Sequence, residues 1–304
     1  MAIIQSMITP TSLKTGDTIA IVSTARKVSK QQLEPAIRLL ESWGLKVIFG
    51  KTIDSAENQF AGSDKLRAAD FQTMLDNPNI KAIWCAKGGY GTVRIIDKLN
   101  FSSFKKSPKW IIGYSDVTVL HSHIHNVGVE TLHAQTLLGL ETKSKETAES
   151  IHRVLFGRDY RIETLRNDSF AALGAGTGEL VGGNLSILYS LCGSNSAINT
   201  DGKILFIEDL DEYLYHIDRM MMNLKRNGMF KNIAGLIVGG LTQMKDNNEP
   251  FGKTVEEIIW EMVKDYKYPV CFDFPAGHIE DNRALIMGRR VSLEVTETET
   301  RLVF

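Results

Sequence analysis

Residues 80–91 read IKAIWCAKGGYG, a mostly apolar run that passes directly into a glycine-rich turn. A short apolar run bounded by a turn signal is consistent with a fully buried strand. Residues 109–112 (KWII) form a second such run, and Gly113 follows it at once. Both strands continue a βαβα rhythm that begins near residue 18. That rhythm, with its short connections, predicts a parallel sheet covered by helices.

The segments before residue 80 alternate between strand-like and helix-like patterns. In chain order they are residues 18–23 (TIAIVS), 29–43, 46–49 and 64–75. The helix-like segments carry apolar residues at helical spacing, and Asn77-Pro78 ends the second of them. We therefore expect residues 1–157 to form an N-terminal α/β domain with a parallel sheet of the Rossmann or flavodoxin-like type.

The second half of the chain is less regular. Around residues 156–178 the sequence becomes polar and contains several glycines. We therefore place a linker at residues 158–178 and a C-terminal mixed α/β domain at residues 179–304. Helices are predicted at residues 185–191, 213–228 and 254–265, and strands at residues 203–207, 233–239 and 269–272. Residues 285–304 alternate like a β-hairpin.

The charge balance argues against nucleic acid or an anionic membrane as a partner. Lys+Arg 35 against Asp+Glu 36 in 304 residues leaves a formal net charge of −1, so no global basic field attracts such partners. No apolar run approaches the roughly 18 residues of a membrane-spanning helix, and residues 1–17 lack the basic start of a signal peptide. Three widely spaced cysteines, Cys85, Cys192 and Cys271, predict free thiols in a cytoplasmic protein.

The strongest chemical signal is the segment WIIGYSDVT, residues 110–118. It places Ser115 on a sharp strand-to-helix turn at the carboxyl end of a strand, where open α/β sheets bind ligands. Such a turn exposes a nucleophilic hydroxyl and points the following N–H groups at a developing oxyanion. A helix N-cap is the alternative role for Ser115. Asp116 and Val117 do not match the G-x-S-x-G elbow, which argues against an α/β-hydrolase fold.

A second signal is the run Lys87-Gly88-Gly89-Tyr90-Gly91, directly after the predicted strand. Its three glycines let the backbone approach a ligand closely and leave N–H groups free to point inward. The spacing fits neither G-x-G-x-x-G nor a Walker loop. Phosphate binding, oxyanion binding and a tight turn without a ligand therefore all stay open.

A nucleophilic serine needs a base, and the base needs an orienting carboxylate. His278 lies in a glycine-flanked loop just past a predicted strand, where catalytic groups are common. Glu208 follows an apolar strand and begins the acidic run EDLDE, residues 208–212. The non-catalytic alternatives are that His278 is a loop histidine bonded to the backbone and that the acidic run is simply solvated. The carboxylates of this run are also candidates for binding a divalent cation.

Three other histidines are weaker candidates. His133 follows a strand-like turn, which makes it a candidate pocket residue. His121 and His125 share a helix face at i, i+4, as metal-binding histidines do, but the sequence around them lacks H-E-x-x-H, so a metal site is disfavoured.

Taken together, the sequence resembles the LD-carboxypeptidases, serine peptidases of the S66 type that also include microcin-immunity peptidases. The resemblance runs along nearly the whole chain. The matching motifs are residues 21–25 (IVSTA), 60–64 (FAGSD), 67–70 (RAAD), 83–91 (IWCAKGGYG), 113–116 (GYSD), 182–186 (GGNLS), 206–209 (FIED), 217–220 (IDRM) and 277–278 (GH).

The resemblance implies a Ser115–Glu208–His278 triad in the cleft between the two domains, with no metal and no cofactor. It also implies an oxyanion hole from the backbone N–H groups of Gly89 and Asp116. Candidate substrate contacts are Lys87, Gly88, Tyr90, His133 and Arg219, of which Lys87 and Arg219 are candidates for a free carboxylate. Two departures from the family pattern are Lys87 in place of Arg and Ala134-Gln135 in place of Gly-Pro.

The implied activity is release of the terminal D-alanine from murein tetrapeptides, which recycles cell-wall peptide in the bacterial cytoplasm. The resemblance also suggests a homodimer. One alternative is a related S66 hydrolase acting on a peptidyl-nucleotide antibiotic, as immunity peptidases do. Another is a non-catalytic binder of small anions, which predicts that Glu208 and His278 lie far apart. A metallohydrolase using the acidic run is a further option.

Overall fold

The computed structural model of the chain describes residues 7–166 and 170–304, and it contains two β-sheets. The strands are β1 (Thr18–Val22), β2 (Lys46–Phe49), β3 (Ile80–Cys85), β4 (Trp110–Gly113), β5 (Thr131–His133), β6 (Arg161–Leu165), β7 (Gly174–Asn184), β8 (Ile204–Leu210), β9 (Gly235–Thr242), β10 (Val270–Cys271), β11 (Leu285–Met287), β12 (Arg290–Val295) and β13 (Glu299–Val303). The α-helices are α1 (Lys30–Ser42), α2 (Asp64–Asp76), α3 (Ser102–Lys106), α4 (Thr118–Val127), α5 (Lys145–Leu155), α6 (Leu185–Leu191), α7 (Leu214–Arg226) and α8 (Val255–Val263).

The first sheet has the strand order β11-β5-β4-β3-β1-β2. Its strands β1 to β5 pair in parallel, as the alternation of strands and helices predicts. The edge strand β11 comes from the far end of the chain and pairs antiparallel with β5, with Leu285 opposite His133. Because parallel strands point the same way, the turns after β3 and β4 meet at one edge of this sheet.

The second sheet has the order β10-β9-β8-β7-β12-β13-β6 and mixes parallel with antiparallel pairs. Its strand β6 and the start of β7 come from residues 158–178, which the sequence predicted as a linker. The predicted hairpin over residues 285–304 is correct for β12 and β13, whereas Leu285–Met287 joins the first sheet. The division of the chain into domains at residues 157 and 179 stays a prediction.

The central parallel strands of both sheets are buried on their two faces, whereas β12 and β13 alternate between buried and more exposed residues. In β1, Ile19 and Ile21 belong to one apolar cluster and Ala20 and Val22 to another, as the period-2 alternation of strand side chains requires. The two sheets also share a core, because Leu285 of β11 packs in the cluster around Phe206 of the second sheet. No helix in residues 7–166 and 170–304 is long and apolar enough to cross a membrane.

The end of β7 packs against the start of α4. A Cβ atom on Gly183, which has φ +138°, would lie 2.5 Å from Thr118 Oγ1. The neighbouring backbone N–H of Asn184 donates a hydrogen bond to the same Thr118 oxygen at 3.0 Å. Only glycine permits this approach at residue 183, and it fixes the second sheet against the helix that follows Ser115.

Candidate active site

Ser115 lies in a strained turn between β4 and α4. The turn is a single 3₁₀ turn over Ser115–Val117, and Ser115 itself has φ +62°. A non-glycine residue in the left-handed region is uncommon, and such strain is concentrated at functional sites. The N-cap of α4 is Val117, with no side-chain cap. The alternative role of Ser115 as a helix N-cap is therefore wrong.

The glycine-rich run after β3 lies directly against Ser115. A Cβ atom on Gly88 would lie 3.1 Å from Ser115 Cβ and 3.3 Å from Ser115 Oγ. Gly89 and Gly91 have φ +108° and +146°, which side-chain-bearing residues rarely adopt. The glycines thus bring a backbone segment into contact with the side chain of Ser115, as oxyanion binding by this run requires.

Two buried charged side chains hold this run in place. The carboxylate of Asp116 accepts a hydrogen bond from Thr92 N at 2.9 Å. Arg67, which is fully buried, donates to Gly91 O at 2.9 Å and also bonds Thr24 O and the carboxylate of Asp64. Burial lowers the pKa of Arg67, while Asp64 acts in the opposite direction. The sequence analysis missed this role of Arg67; its only signal was the RAAD motif.

Glu208 and His278 are in direct contact. His278 Nδ1 lies 2.6 Å from Glu208 Oε2, and His278 N donates to the same oxygen at 3.2 Å. Glu208 is fully buried, whereas the His278 side chain is 12% exposed. A carboxylate on Nδ1 fixes the tautomer that leaves Nε2 free to act as a base. The short distance contradicts the non-catalytic binder, which predicted that the two residues lie far apart.

Local backbone geometry produces this contact. Glu208 lies within β8, at a shift in the β8–β9 register between Ile207 and Asp209, and such irregularities re-aim side chains next to active sites. In the loop that carries His278, Gly277 has φ +105°, and a Cβ atom there would lie 2.8 Å from Glu208 Oε2. Glycine at residue 277 therefore lets the His278 loop reach the carboxylate.

Tyr114 connects the histidine to the serine turn. Its ring lies against the ring of His278, with centroids 4.6 Å apart, and Ser115 is the next residue. Ser115 Oγ makes no hydrogen bond to any residue in the described ranges, so the bond between serine and histidine is not closed in this structure. Catalytic hydrogen bonds are often long in the absence of substrate and tighten when it binds.

His133 is not a pocket residue. It is fully buried, and neither ring nitrogen has a hydrogen-bond partner among the residues described. Burial holds the pKa of His133 well below its usual value. Its ring packs edge-on against Tyr114 and Phe206, so His133 lies beneath the site. The expectation that His133 lines a pocket is therefore wrong.

The remaining predicted substrate contacts divide into two groups. Lys87, Gly88 and Tyr90 lie on the run beside Ser115, and Tyr90 is exposed with its ring 6.2 Å from that of Phe60. Arg219 is exposed on α7, with its guanidinium over the ring of Tyr215 at 5.4 Å. No contact within the described ranges joins Arg219 to Ser115, Glu208 or His278.

A buried amide network supports the His278 loop and was also missed by the sequence analysis. Gly277 N donates to Asn282 Oδ1 at 2.8 Å, and Asn282 Nδ2 donates to Gln135 Oε1 at 3.3 Å. Gln135 also acts on Tyr114: burial raises the pKa of the Tyr114 hydroxyl to about 12, and the side chain of Gln135 works in the opposite direction. The signal in the sequence was the departure Ala134-Gln135, since a proline at residue 135 has no side-chain amide.

The acidic run after Glu208 is divided among several partners. Asp209 accepts from Asn184, Asp211 pairs with Lys245, and Glu212 bonds His216. Within the described part of the chain, no group of three or more histidine, cysteine or acidic side chains is arranged to hold a metal ion. A cavity of ≈ 870 Å³ lies at the other end of β4, lined among others by Trp110, and contains no triad residue.

Comparison with known proteins identifies the family. Residues 19–134 match the LD-carboxypeptidase N-terminal domain, and residues 177–293 match the LD-carboxypeptidase C-terminal domain. The chain belongs to the LD-carboxypeptidase family of peptidases. The two-sheet α/β fold is the one found in a solved relative, the muramoyltetrapeptide carboxypeptidase from Oxalobacter formigenes. That structure has a TM-score of 0.86 and 26% identity, over 94% of this chain and 97% of that chain.

Two relatives of this LD-carboxypeptidase differ in what their names describe. A probable murein peptide carboxypeptidase of Bacillus subtilis is 34% identical over 95% of this chain and 92% of its own length. The Microcin C7 self-immunity protein MccF of Escherichia coli is 25% identical over 93% of this chain and 92% of its own length. Both alignments span the segments that carry Ser115, Glu208 and His278.

Proposed function

We propose that this LD-carboxypeptidase is a serine enzyme that releases the terminal D-alanine from murein tetrapeptides in cell-wall recycling. The observation that carries the proposal is the 2.6 Å contact between His278 Nδ1 and Glu208 Oε2, next to the strained turn of Ser115. A histidine that is oriented by a buried carboxylate, and that packs against the residue preceding a half-buried serine, supplies the groups that acyl transfer requires. The murein peptide and muramoyltetrapeptide relatives support the choice of substrate.

In the proposed mechanism, His278 Nε2 removes the proton from Ser115 Oγ, which attacks the scissile carbonyl carbon. Glu208 remains ionised and stabilises the imidazolium. The N–H groups of Gly89 and Asp116 donate to the tetrahedral oxyanion, a contribution of about 3 kcal/mol per donor in comparable sites. His278 then gives its proton to the leaving amine of D-alanine, and water hydrolyses the acyl-enzyme on Ser115.

We place the active site in a cleft between an N-terminal Rossmann-like domain and a C-terminal mixed α/β domain. Ser115 follows β4 of the first sheet, whereas Glu208 belongs to β8 of the second. Support for a homodimer comes from the family resemblance, and support for a cytoplasmic location comes from that resemblance and from the three widely spaced cysteines. We propose both for this chain, together with a reaction that needs no metal or cofactor.

The test is D-alanine release from a murein tetrapeptide by the wild type and by Ser115→Ala, with and without EDTA. We expect release by the wild type that survives EDTA and disappears in the variant. Loss of wild-type activity in EDTA would assign the reaction to a metal. No release by a folded wild type would overturn the murein assignment.

A second candidate function is hydrolysis of a peptidyl-nucleotide antibiotic, which the relationship to MccF favours. The two functions share the triad and differ in the leaving group. Direct competition between a tetrapeptide and an aminoacyl sulfamoyl nucleoside, with both products quantified, would rank them. A kcat/KM higher for the nucleoside would replace the murein assignment.

A further inference from the structure

Arg26 lies against the glycine-rich run beside the nucleophile. A Cβ atom on Gly89 would lie 2.6 Å from both Cδ and Nε of Arg26. The Arg26 side chain therefore packs directly across the Gly89 backbone, which is a proposed oxyanion donor. Arg26 is nevertheless exposed to solvent, so its guanidinium is accessible to a ligand that enters along this run.

The backbone of Arg26 is fixed from several directions. Its carbonyl accepts a hydrogen bond from Ser23 Oγ at 2.6 Å. Arg26 forms an isolated antiparallel bridge with Phe60, and the next residue, Lys27, donates from its backbone N to Gln59 O at 3.0 Å. A held backbone limits the positions that the guanidinium can reach, and this lowers the entropy lost when it binds a ligand.

The charge of Arg26 is not neutralised by the protein. Two neighbouring arginines, Arg67 and Arg94, both pair with Asp64. No carboxylate of the described residues pairs with Arg26, and Glu57, in the segment that adjoins it, is exposed and forms no ion pair with it. Arg26 is thus an unpaired cation against the run that contacts Ser115.

A carboxypeptidase must bind the free carboxylate of its substrate close to the oxyanion donors. In a terminal amino acid, one nitrogen and one α-carbon separate the scissile carbonyl from the carboxylate, so standard bond lengths place the two carbons roughly 3–3.7 Å apart. A guanidinium recognises a carboxylate with two parallel hydrogen bonds, which a lysine ammonium cannot reproduce. The cation that touches Gly89 meets both requirements.

We propose that Arg26 binds the free C-terminal carboxylate of the substrate, a role that rests on the proposed carboxypeptidase function. Of the two cations that the sequence suggested, Arg219 stacks on Tyr215 without contacting the triad. Lys87 precedes Gly88 and supplies a point charge at the start of the run. The planar guanidinium of Arg26, in contrast, packs against Gly89, a proposed oxyanion donor, and can form two parallel hydrogen bonds with a carboxylate.

The experiment compares a tetrapeptide that has a free C-terminal carboxylate with the matched C-terminal amide. We expect Arg26→Gln to lower kcat/KM for the acid roughly 10- to 100-fold, as loss of a charge-assisted hydrogen bond does, and to change kcat/KM for the amide by less than about twofold. Arg26→Lys should retain part of the preference. Lys27→Gln, an exposed cation on the next residue, is the matched control and should leave the acid-to-amide ratio unchanged.

Two results would overturn the role of Arg26. One is an unchanged ratio in Arg26→Gln, and the other is loss of the preference in Lys87→Gln alone, which would place the carboxylate at Lys87. Binding of the same two peptides to Ser115→Ala by calorimetry separates this role from turnover. A wild type that hydrolyses neither peptide contradicts the proposed function; equal binding of acid and amide, or no binding of either, contradicts the carboxylate site.

Discussion

Glu208 and Asp209 are consecutive buried carboxylates that the fold uses in different ways. Glu208 holds the imidazole of His278. Asp209 accepts from Asn184 Nδ2 and from Ser186 N, both at 2.9 Å, and so joins the end of β7 to the start of α6. The one carboxylate orients the proposed base, and the other stabilises the elements around it.

The stability of the protein should depend on the ionisation of Asp209. Burial and the neighbouring Glu208 raise the pKa of Asp209 to about 7. A carboxyl whose folded pKa exceeds its unfolded value stabilises the folded state at low pH, and this stabilisation is lost as pH rises through about 7. Relative to the wild type, Asp209→Asn should therefore gain about 2–3 kcal/mol in free energy of unfolding between pH 5 and pH 8.

Urea titrations of the two proteins across this pH range measure the difference directly. Asparagine keeps an oxygen for the hydrogen bond from Asn184 but loses the acceptor for Ser186 N, so the charge is reported by the change of the difference with pH and not by its size at one pH. A difference that does not change with pH would show that Asp209 is ionised throughout.

Single residues also show where sequence-based prediction ends. Ser115, Glu208 and His278 could be singled out as candidates because each is a polar group beside an apolar strand or in a glycine-flanked loop, and the family resemblance then joined them into a proposed triad. Arg67 could not, since an arginine on a helix is normally solvent-exposed and only tertiary packing buries it against Gly91. The burial of His133 beneath Tyr114 likewise depends on contacts between segments that are distant in sequence.

At the scale of elements, Gln135 links the segment after β5 to the His278 loop through Asn282. We expect Gln135→Leu to lower kcat about tenfold with little change in KM, because a loosened histidine weakens proton transfer more than substrate binding. Asn282→Ala should act similarly, and the double variant should lose less than the two separate effects combined. Full additivity in kinetic assays would contradict a shared network.

The contact between β7 and α4 leads to a stability prediction. Gly183→Ala places a methyl group against Thr118, whereas Gly174→Ala on the same strand, with φ +146°, meets nothing within 4 Å. Both substitutions introduce backbone strain, because both glycines have a positive φ. Gly183→Ala should therefore lower the free energy of unfolding by about 1–3 kcal/mol more than Gly174→Ala does, which is the usual cost of overpacking.

Urea denaturation of both variants measures this difference. Adding Thr118→Ala to Gly183→Ala should recover part of the loss, because it removes the methyl and hydroxyl groups that the new side chain meets. Equal destabilisation by the two glycine substitutions would show that Thr118 can move away from the new methyl group without a cost in free energy of unfolding.

Most elements of the structure follow from local pattern. The predicted strand at residues 46–49 and the predicted helix at residues 185–191 have the observed bounds. Strand β11 does not follow, because its three residues read like the start of the hairpin after them. Its pairing with β5 is a contact between distant parts of the chain that periodicity does not encode.

At the scale of the whole molecule, β11 makes the two sheets depend on each other. A fragment of residues 1–157 lacks β11, so it exposes an edge of β5 and loses the shared core around Leu285. We expect this fragment to show no cooperative thermal unfolding by circular dichroism, whereas the full chain does. Cooperative unfolding of the fragment alone would mean that its sheet is complete without β11.

The order of functional residues along the chain has a consequence for biosynthesis. The proposed nucleophile, orienting carboxylate and base emerge from the ribosome at residues 115, 208 and 278, and β11 follows at residues 285–287. A nascent chain therefore contains Ser115 without its proposed base until residue 278 has been synthesised. The segment of residues 278–287 both contains the proposed base and, through β11, covers the edge of the sheet that carries Ser115, so the proposed active site and the first sheet are completed together.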